Sequence, residues 1–164
     1  ALLARNIAPG IARRFAAECW PSVGAKRLDA ARLRARALER TAATTTIAGS
    51  DRDAGAVRAA IANAERAGVA ADVVFERGSI SAIGVDDGPG LLICNPPYGV
   101  RIGDQAALRD LYASLGAVQR EQRPGWQLAL LSASPLLEGQ IGVPLREVWH
   151  TTNGGIAVLL VASR

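Results

Sequence analysis

Apolar positions change period several times along this chain. Between residues 22 and 40 they recur at helical spacing, with Leu28, Ala31, Ala35 and Leu38 on one face and Arg32, Arg36 and Arg40 stacked at i, i+4 beside it. Before that, residues 1–7 read as a helix stopped by Pro9-Gly10, and residues 11–19 as a short helix ending near Trp20-Pro21. "TTTIAGS" then predicts a strand over 44–49, and "DRDAGAVRAAIANAERAG" a helix with an acidic start and Gly68 at its end. "DVVFE" (72–76) and "LLICN" (91–95) are two further strands. "DQAALRDLYASLGAVQREQ" is a helix with Leu108, Leu111, Tyr112 and Leu115 on one face, and "WQLALLSAS" another strand. "LREVWHT" and "GIAVLLVAS" flank Thr152-Asn153-Gly154, whose Asn-Gly pair predicts an antiparallel hairpin. Strands alternating with helices predict an α/β fold with a parallel sheet, closed by that hairpin.

Composition narrows the setting. The chain has 164 residues, 49% of them hydrophobic, enough for one real core. No run is long and apolar enough to span a membrane, and the first residues lack the order of a signal peptide. Cys19 and Cys94 imply no disulfide framework, so a reducing cytoplasm is the expected setting; with one histidine, His150, they cannot assemble an ordinary zinc site. The net charge of +4 is uneven: residues 1–40 carry nine Lys/Arg against Glu18, Asp29 and Glu39. Arg32, Arg36 and Arg40 read first as a solvated basic face and, as the sharper alternative, as a phosphate-contacting stripe.

The chemistry concentrates at "LLICNPPYGVRIGD", residues 91–104. In an open α/β sheet ligands bind at the carboxyl ends of the strands. Pro96 and Pro97 fix two φ angles and remove two backbone donors, which leaves the Asn95 side-chain oxygen and the Pro96 carbonyl as acceptors. Two fixed acceptors suit an N–H₂ group, and Tyr98 offers a ring on which a planar base can stack. An exocyclic amine on a base is a weak nucleophile; accepting hydrogen bonds from both its protons returns density to nitrogen and orients it. Such an amine must leave a stacked helix to be reached.

The Asn95-Pro96-Pro97-Tyr98 box resembles that of S-adenosylmethionine-dependent methyltransferases acting on nucleobase amines and on glutamine of release factors. The longer string "NPPYGVRIGDQAALRDLYASLG", "ARNIAPGIARRF" with Trp20, and "TTNGGIAVLL" resemble the THUMP-associated RNA guanine-N2 methyltransferases, in particular the bacterial large-subunit ribosomal RNA members. That resemblance implies a Rossmann-like sheet of order 3-2-1-4-5-7-6 with a terminal antiparallel hairpin, S-adenosylmethionine as cofactor, and RNA (23S rRNA) as partner. Residues 1–164 then form one partial catalytic domain, a helical segment 1–43 before an α/β core 44–164.

On the same resemblance Asp51, at the end of the fold's second strand, accepts from the cofactor's ribose hydroxyls, with Asp53 as helix cap. Ser79 stands where many relatives place an aspartate toward the cofactor's adenine, Asn95 borders both ligands, and Arg101 is a candidate phosphate contact. The glycine-rich cofactor loop, the fold's first strand and a THUMP domain are expected upstream of Ala1, and the segment alone is expected to be inactive. Adenine N6 in DNA or RNA, guanine N2 in tRNA, and a degenerate RNA-binding module are alternatives. Cys94 is expected to pack rather than attack, His150 to lie at a surface or edge, and Trp20, Trp126 and Trp149 in the core.

Overall fold

The computed structural model describes residues 1–82, 88–97 and 105–163, and divides into two compact units, Ala1–Ser79 and Ile80–Arg164. The elements in chain order are α1 (Gly24–Ala37), β1 (Ala48–Asp51), α2 (Ala54–Arg66), β2 (Val74–Arg77), β3 (Leu91–Cys94), α3 (Gln105–Ala117), β4 (Gln127–Ser132), α4 (Pro135–Ile141), β5 (Leu145–Asn153) and β6 (Ile156–Ser163).

In the first unit β1 and β2 form a parallel pair, Ala48 opposite Val74 and Asp51 opposite Arg77. A parallel pair needs a crossover, and α2 supplies it. Asp53 caps α2 through its side chain, which accepts from the Gly55 N–H at 2.6 Å. The strand expected at 44–49 starts later, because the ladder opens at Ala48 and Ala43 N–H donates instead to Asp72 Oδ1 at 2.7 Å. Residues 1–7 are a run of turns rather than a helix; Asn6 adopts a left-handed φ of 56°, which ends any helical path. Arg5 ties this run down, bonding the Arg40 and Gly68 carbonyls and pairing with Asp72 at 3.2 Å. Of the helix expected over 11–19, only a short 3₁₀ turn at Ala16–Cys19 forms. α1 buries no residue: Leu28 and Ala35 are half-covered, while Ala31 and Leu38 are exposed.

The second unit carries a four-stranded sheet of order β3-β4-β6-β5, with β3 parallel to β4 and the other pairs antiparallel. The two ladders, β2-β1 and β3-β4-β6-β5, reproduce the 3-2 and 4-5-7-6 parts of the expected order, and among the described residues no pairing joins them. The core lies on one face of the larger sheet, where Leu108, Tyr112 and Leu115 of α3 and Leu137 and Ile141 of α4 meet Leu128, Leu130 and Val161. After α3 the chain makes a wide π turn, Val118–Gln122.

The hairpin forms as expected, one residue later in its turn: Asn153 pairs with Ile156, so Gly154-Gly155 are the loop, with φ of 58° and 84°. Two consecutive positive φ values make a type I′ geometry that glycine adopts without strain. A bulge between Glu147 and Trp149 corrects another expectation. Glu147 faces Val161 of the core side, and the extra residue sets Trp149 opposite Leu160, on the other face, where it is 58% exposed. Trp20 is exposed as well, in a part of the first unit with no buried side chain around it. Trp126 is half-buried, its Nε1–H donating to the Gly88 carbonyl at 2.7 Å.

α3 and α4 approach so closely that a Cβ placed on Gly116 would lie 1.7 Å from the Ile141 carbonyl oxygen. Gly116→Ala must therefore push backbone away from backbone. It is expected to lower the unfolding free energy by about 1–3 kcal/mol, measured by denaturant titration, whereas Gly139→Ala, with nothing near its added methyl, should not destabilise.

Candidate nucleobase and cofactor sites

Two strand ends carry the candidate residues, one in each unit. In the first unit the carboxyl ends of β1 and β2 are joined beyond the ladder, since the Gly78 N–H donates to the Asp51 carbonyl at 3.0 Å. That bond places Ser79 one residue from the partner of Asp51. Asp51 is exposed, and its Oδ1 accepts from the Asp53 N–H at 2.8 Å. An ionised carboxylate has about four acceptor positions, so this bond orients the group and leaves it capacity for a diol. The neighbouring Arg77 Nε donates to the Arg52 carbonyl at 3.1 Å, which stiffens the loop that holds Asp51.

In the second unit β3 delivers Asn95, Pro96 and Pro97 at its carboxyl end. Pro96 is buried, Asn95 and Pro97 are exposed. β3 alternates sharply: Leu92 and Cys94 pack on the core, while Leu91 and Ile93 are 54% and 67% exposed on the other face. Tyr98 and Arg101 lie outside the described residues. Cys94, directly before the box, is a free thiol whose pKa burial pushes up to about 11. It is a packing residue, as expected, since a protonated thiol is a poor nucleophile. His150 sits at the surface, 3.5 Å from Glu147.

The three arginines of the expected stripe are held differently, and Arg40 lies beyond the end of α1. Arg32 is drawn into a local cluster, donating to Glu18, to Asp29 and to the Arg13 carbonyl, with its guanidinium 5.9 Å from the Phe15 ring centre. Arg40 donates to the Ala4 carbonyl at 3.3 Å, while Arg36 is exposed. Sequence reading missed α4 altogether. Its signals were present: Ser134 caps it, Pro135 is its first residue and Gly142 follows its last turn.

These strand ends belong to a recognisable class. The chain matches known structures of Rossmann-like methyltransferases over nearly its whole length, and it belongs to the UPF0020 family, the RMKL-like methyltransferase domain, whose model matches residues 1–161. Among curated relatives, the ribosomal RNA large subunit methyltransferase K/L of Allochromatium vinosum is 37% identical over 99% of this chain. The chain spans 23% of that protein's length. Among solved structures, SMU.472, assigned as a methyltransferase and complexed with SAH, superposes with a TM-score of 0.85 at 28% identity, over 99% of this chain and 43% of the other. A Listeria monocytogenes protein assigned as an N6-adenine-specific DNA methylase gives 0.77 at 28% identity, over 97% of this chain and 41% of that one.

Two outcomes test this description. Cys19 is exposed and Cys94 is half-buried with a raised pKa, so peptide-resolved alkylation at pH 7.5 should label Cys19 at least about tenfold faster. The Glu18 carboxyl is held down to about 2, first by the Arg32 hydrogen bond and then by the Phe15 N–H. A folded value below the ordinary 4.5 means that ionised Glu18 favours the fold. Its contribution is complete above about pH 5 and is lost as pH falls toward 2, so Glu18→Gln should melt below the wild type at neutral pH and converge with it in acid.

Proposed function

We propose that the chain is the methyl-transferring part of an S-adenosylmethionine-dependent enzyme that methylates a nucleobase amine, guanine N2 of large-subunit ribosomal RNA. The observation that carries this reading is Asn95-Pro96-Pro97 at the carboxyl end of β3, on the sheet of a methyltransferase family. The ribosomal RNA large subunit methyltransferases among its relatives support the RNA target, and the SAH complex of a structural neighbour supports the cofactor. The designation of the Listeria structure favours adenine N6 as the second reading.

The residues present suit that cofactor. Asp51, exposed and already oriented by one backbone N–H, is the acceptor for a ribose diol, and Ser79, beside it across the strand ends, is the neighbour of the adenine end. S-adenosylmethionine supplies an electrophilic methyl group when bound. The protein's part is to present the nucleophile. The Asn95 side-chain oxygen and the Pro96 carbonyl accept the two amine protons, and Pro97 holds both acceptors in place by fixing φ. Asn95 is too weakly basic to take a proton, so the surplus amine proton leaves to solvent or a nearby group after transfer, and the rate comes from orientation and from stabilising the positive charge that grows on nitrogen. Tyr98 stacks on the base. Arg101 and the exposed Arg36 serve the RNA backbone, with Arg40 available beside them and Arg32 already spent on Glu18.

Calorimetric titration of S-adenosylmethionine into the full-length protein tests the cofactor half. Asp51→Ala should weaken binding by about tenfold or more, since a hydrogen bond to a charged group is worth about 1.5–3 kcal/mol. Asp53→Ala removes only a helix cap, costing about 1 kcal/mol of stability, and should leave affinity within about twofold. Absence of binding to the full-length protein would withdraw the reading. Nucleoside analysis of RNA methylated in vitro then distinguishes N2-methylguanosine from N6-methyladenosine.

A further inference from the structure

Beyond the carboxyl end of β4 lies a cavity of about 470 Å³, walled by Ser132, Glu138, His150, Thr151 and Thr152, with Val158 and Leu159 as apolar floor. It belongs to the same unit, and to the same edge of the same sheet, as the Asn-Pro-Pro segment. β3 runs parallel to β4 with Cys94 opposite Leu130. Continuing that register by two residues sets Asn95 and Pro96 level with Leu131 and Ser132, and Ser132 is where the cavity begins.

One group in this wall is unexplained by packing. Glu138 Oε1 is buried and has no hydrogen-bond partner among the described residues. A buried carboxylate oxygen without a donor is costly to the fold. Leu137 and Ile141, on the same short helix, go into the core and account for the position of α4; a carboxylate between them adds nothing to that packing. Glu138 lines the cavity while Oε1 has no accessible surface, so Oε2 is the oxygen that a ligand there can meet. Ser132 Oγ is already used, accepting from the Ser134 N–H at 3.2 Å. A ligand that suits this carboxylate is one that brings a donor to it.

We propose that Glu138 selects the target base, accepting the N1–H of a guanine whose 2-amino group is held by Asn95 and Pro96. This rests on the guanine reading given above and sharpens it. Guanine presents N1–H and N2–H₂ as adjacent donors along one edge. Adenine and 2-aminopurine carry a lone pair at N1, which meets the carboxylate acceptor to acceptor. 2-Aminopurine keeps the reacting amine and loses only the N1 proton, so it isolates the contact. Glu138 is then a specificity residue: it touches the base and takes no part in the transfer.

The test uses the full-length protein and an RNA containing its methylated position, with guanine, 2-aminopurine or adenine placed there, reading kcat/KM. The wild type should prefer guanine over 2-aminopurine by about 100-fold or more, because a site built around a donor rejects an analogue without it. Glu138→Gln should cut that ratio by at least about tenfold, since its carboxamide can turn an N–H₂ to the N1 lone pair. Its melting temperature should stay equal or rise, because an unpaired buried carboxylate is removed. An unchanged ratio in a folded Glu138→Gln protein overturns the assignment while guanine methylation still upholds the proposed function. A fall in melting temperature also overturns it, since the carboxylate would then have a structural donor. Methylation of adenine in preference to guanine by the wild type removes both.

Discussion

Parallel strand pairing is the constraint on which both candidate sites depend. Two strands can run parallel only if the chain returns to the starting edge between them. α2 makes that return between β1 and β2, and the segment containing α3 makes it between β3 and β4. Each return puts two carboxyl ends side by side, and the residues that follow become neighbours although 26 or more positions separate them. Asp51 and Gly78 meet in this way through a backbone hydrogen bond, and Cys94, the residue before Asn95, lies opposite Leu130 of β4. A tight turn in place of either crossover would reverse the second strand and carry its following loop to the opposite edge.

The larger sheet holds its edge in place through packing on one face. Leu128 and Leu130 of β4 are fully buried against α3 and α4, and Gly116 lets these helices touch backbone to backbone. α4 is seven residues long, too short to be stable alone. Ser134 at its start and Leu137 and Ile141 beneath it fix where it lies, and hence where Glu138 lies. The position of the carboxylate is therefore set by apolar burial and a cap, and its chemistry is free to serve something else.

The sequence was legible where local signals and burial agree. α2 carries an acidic cap and alternates as a helix should, and α3 shows Leu108, Tyr112 and Leu115 on one stripe, all three buried. The apolar run before Asn95 forms a strand as expected, so Asn95-Pro96-Pro97 falls at a strand's carboxyl end. The errors fall where the tertiary structure overrules local preference. Residues 1–7 have helical composition, yet Arg5 and Asn6 bond to residues 38, 40, 68 and 72, and those distant partners set the backbone. β1 begins four residues after the β-branched run starts, since its place is set by where β2 can pair. Trp149 leaves the core because of one extra residue in β5, which no period reveals. The spacing of Arg32, Arg36 and Arg40 did not reveal that Glu18, fourteen residues from Arg32, pairs with it.

The polar groups at these strand ends share a sign. Asp51, the Asn95 oxygen, the Pro96 carbonyl and Glu138 are all acceptors. Lysine and arginine are the usual partners of phosphate, and a site made to grip phosphate would place them, or bare backbone N–H groups, at the strand ends. Two prolines here remove such N–H groups instead. The ligand parts that fit are donors: a ribose diol, an amine with two protons, a ring N–H. On the proposed function, phosphate recognition would fall to a different surface, the basic first forty residues, where Arg36 is exposed. Under that proposal, affinity for an RNA backbone is salt-dependent, while the choice of base rests on a few acceptors at short range, where salt screens least.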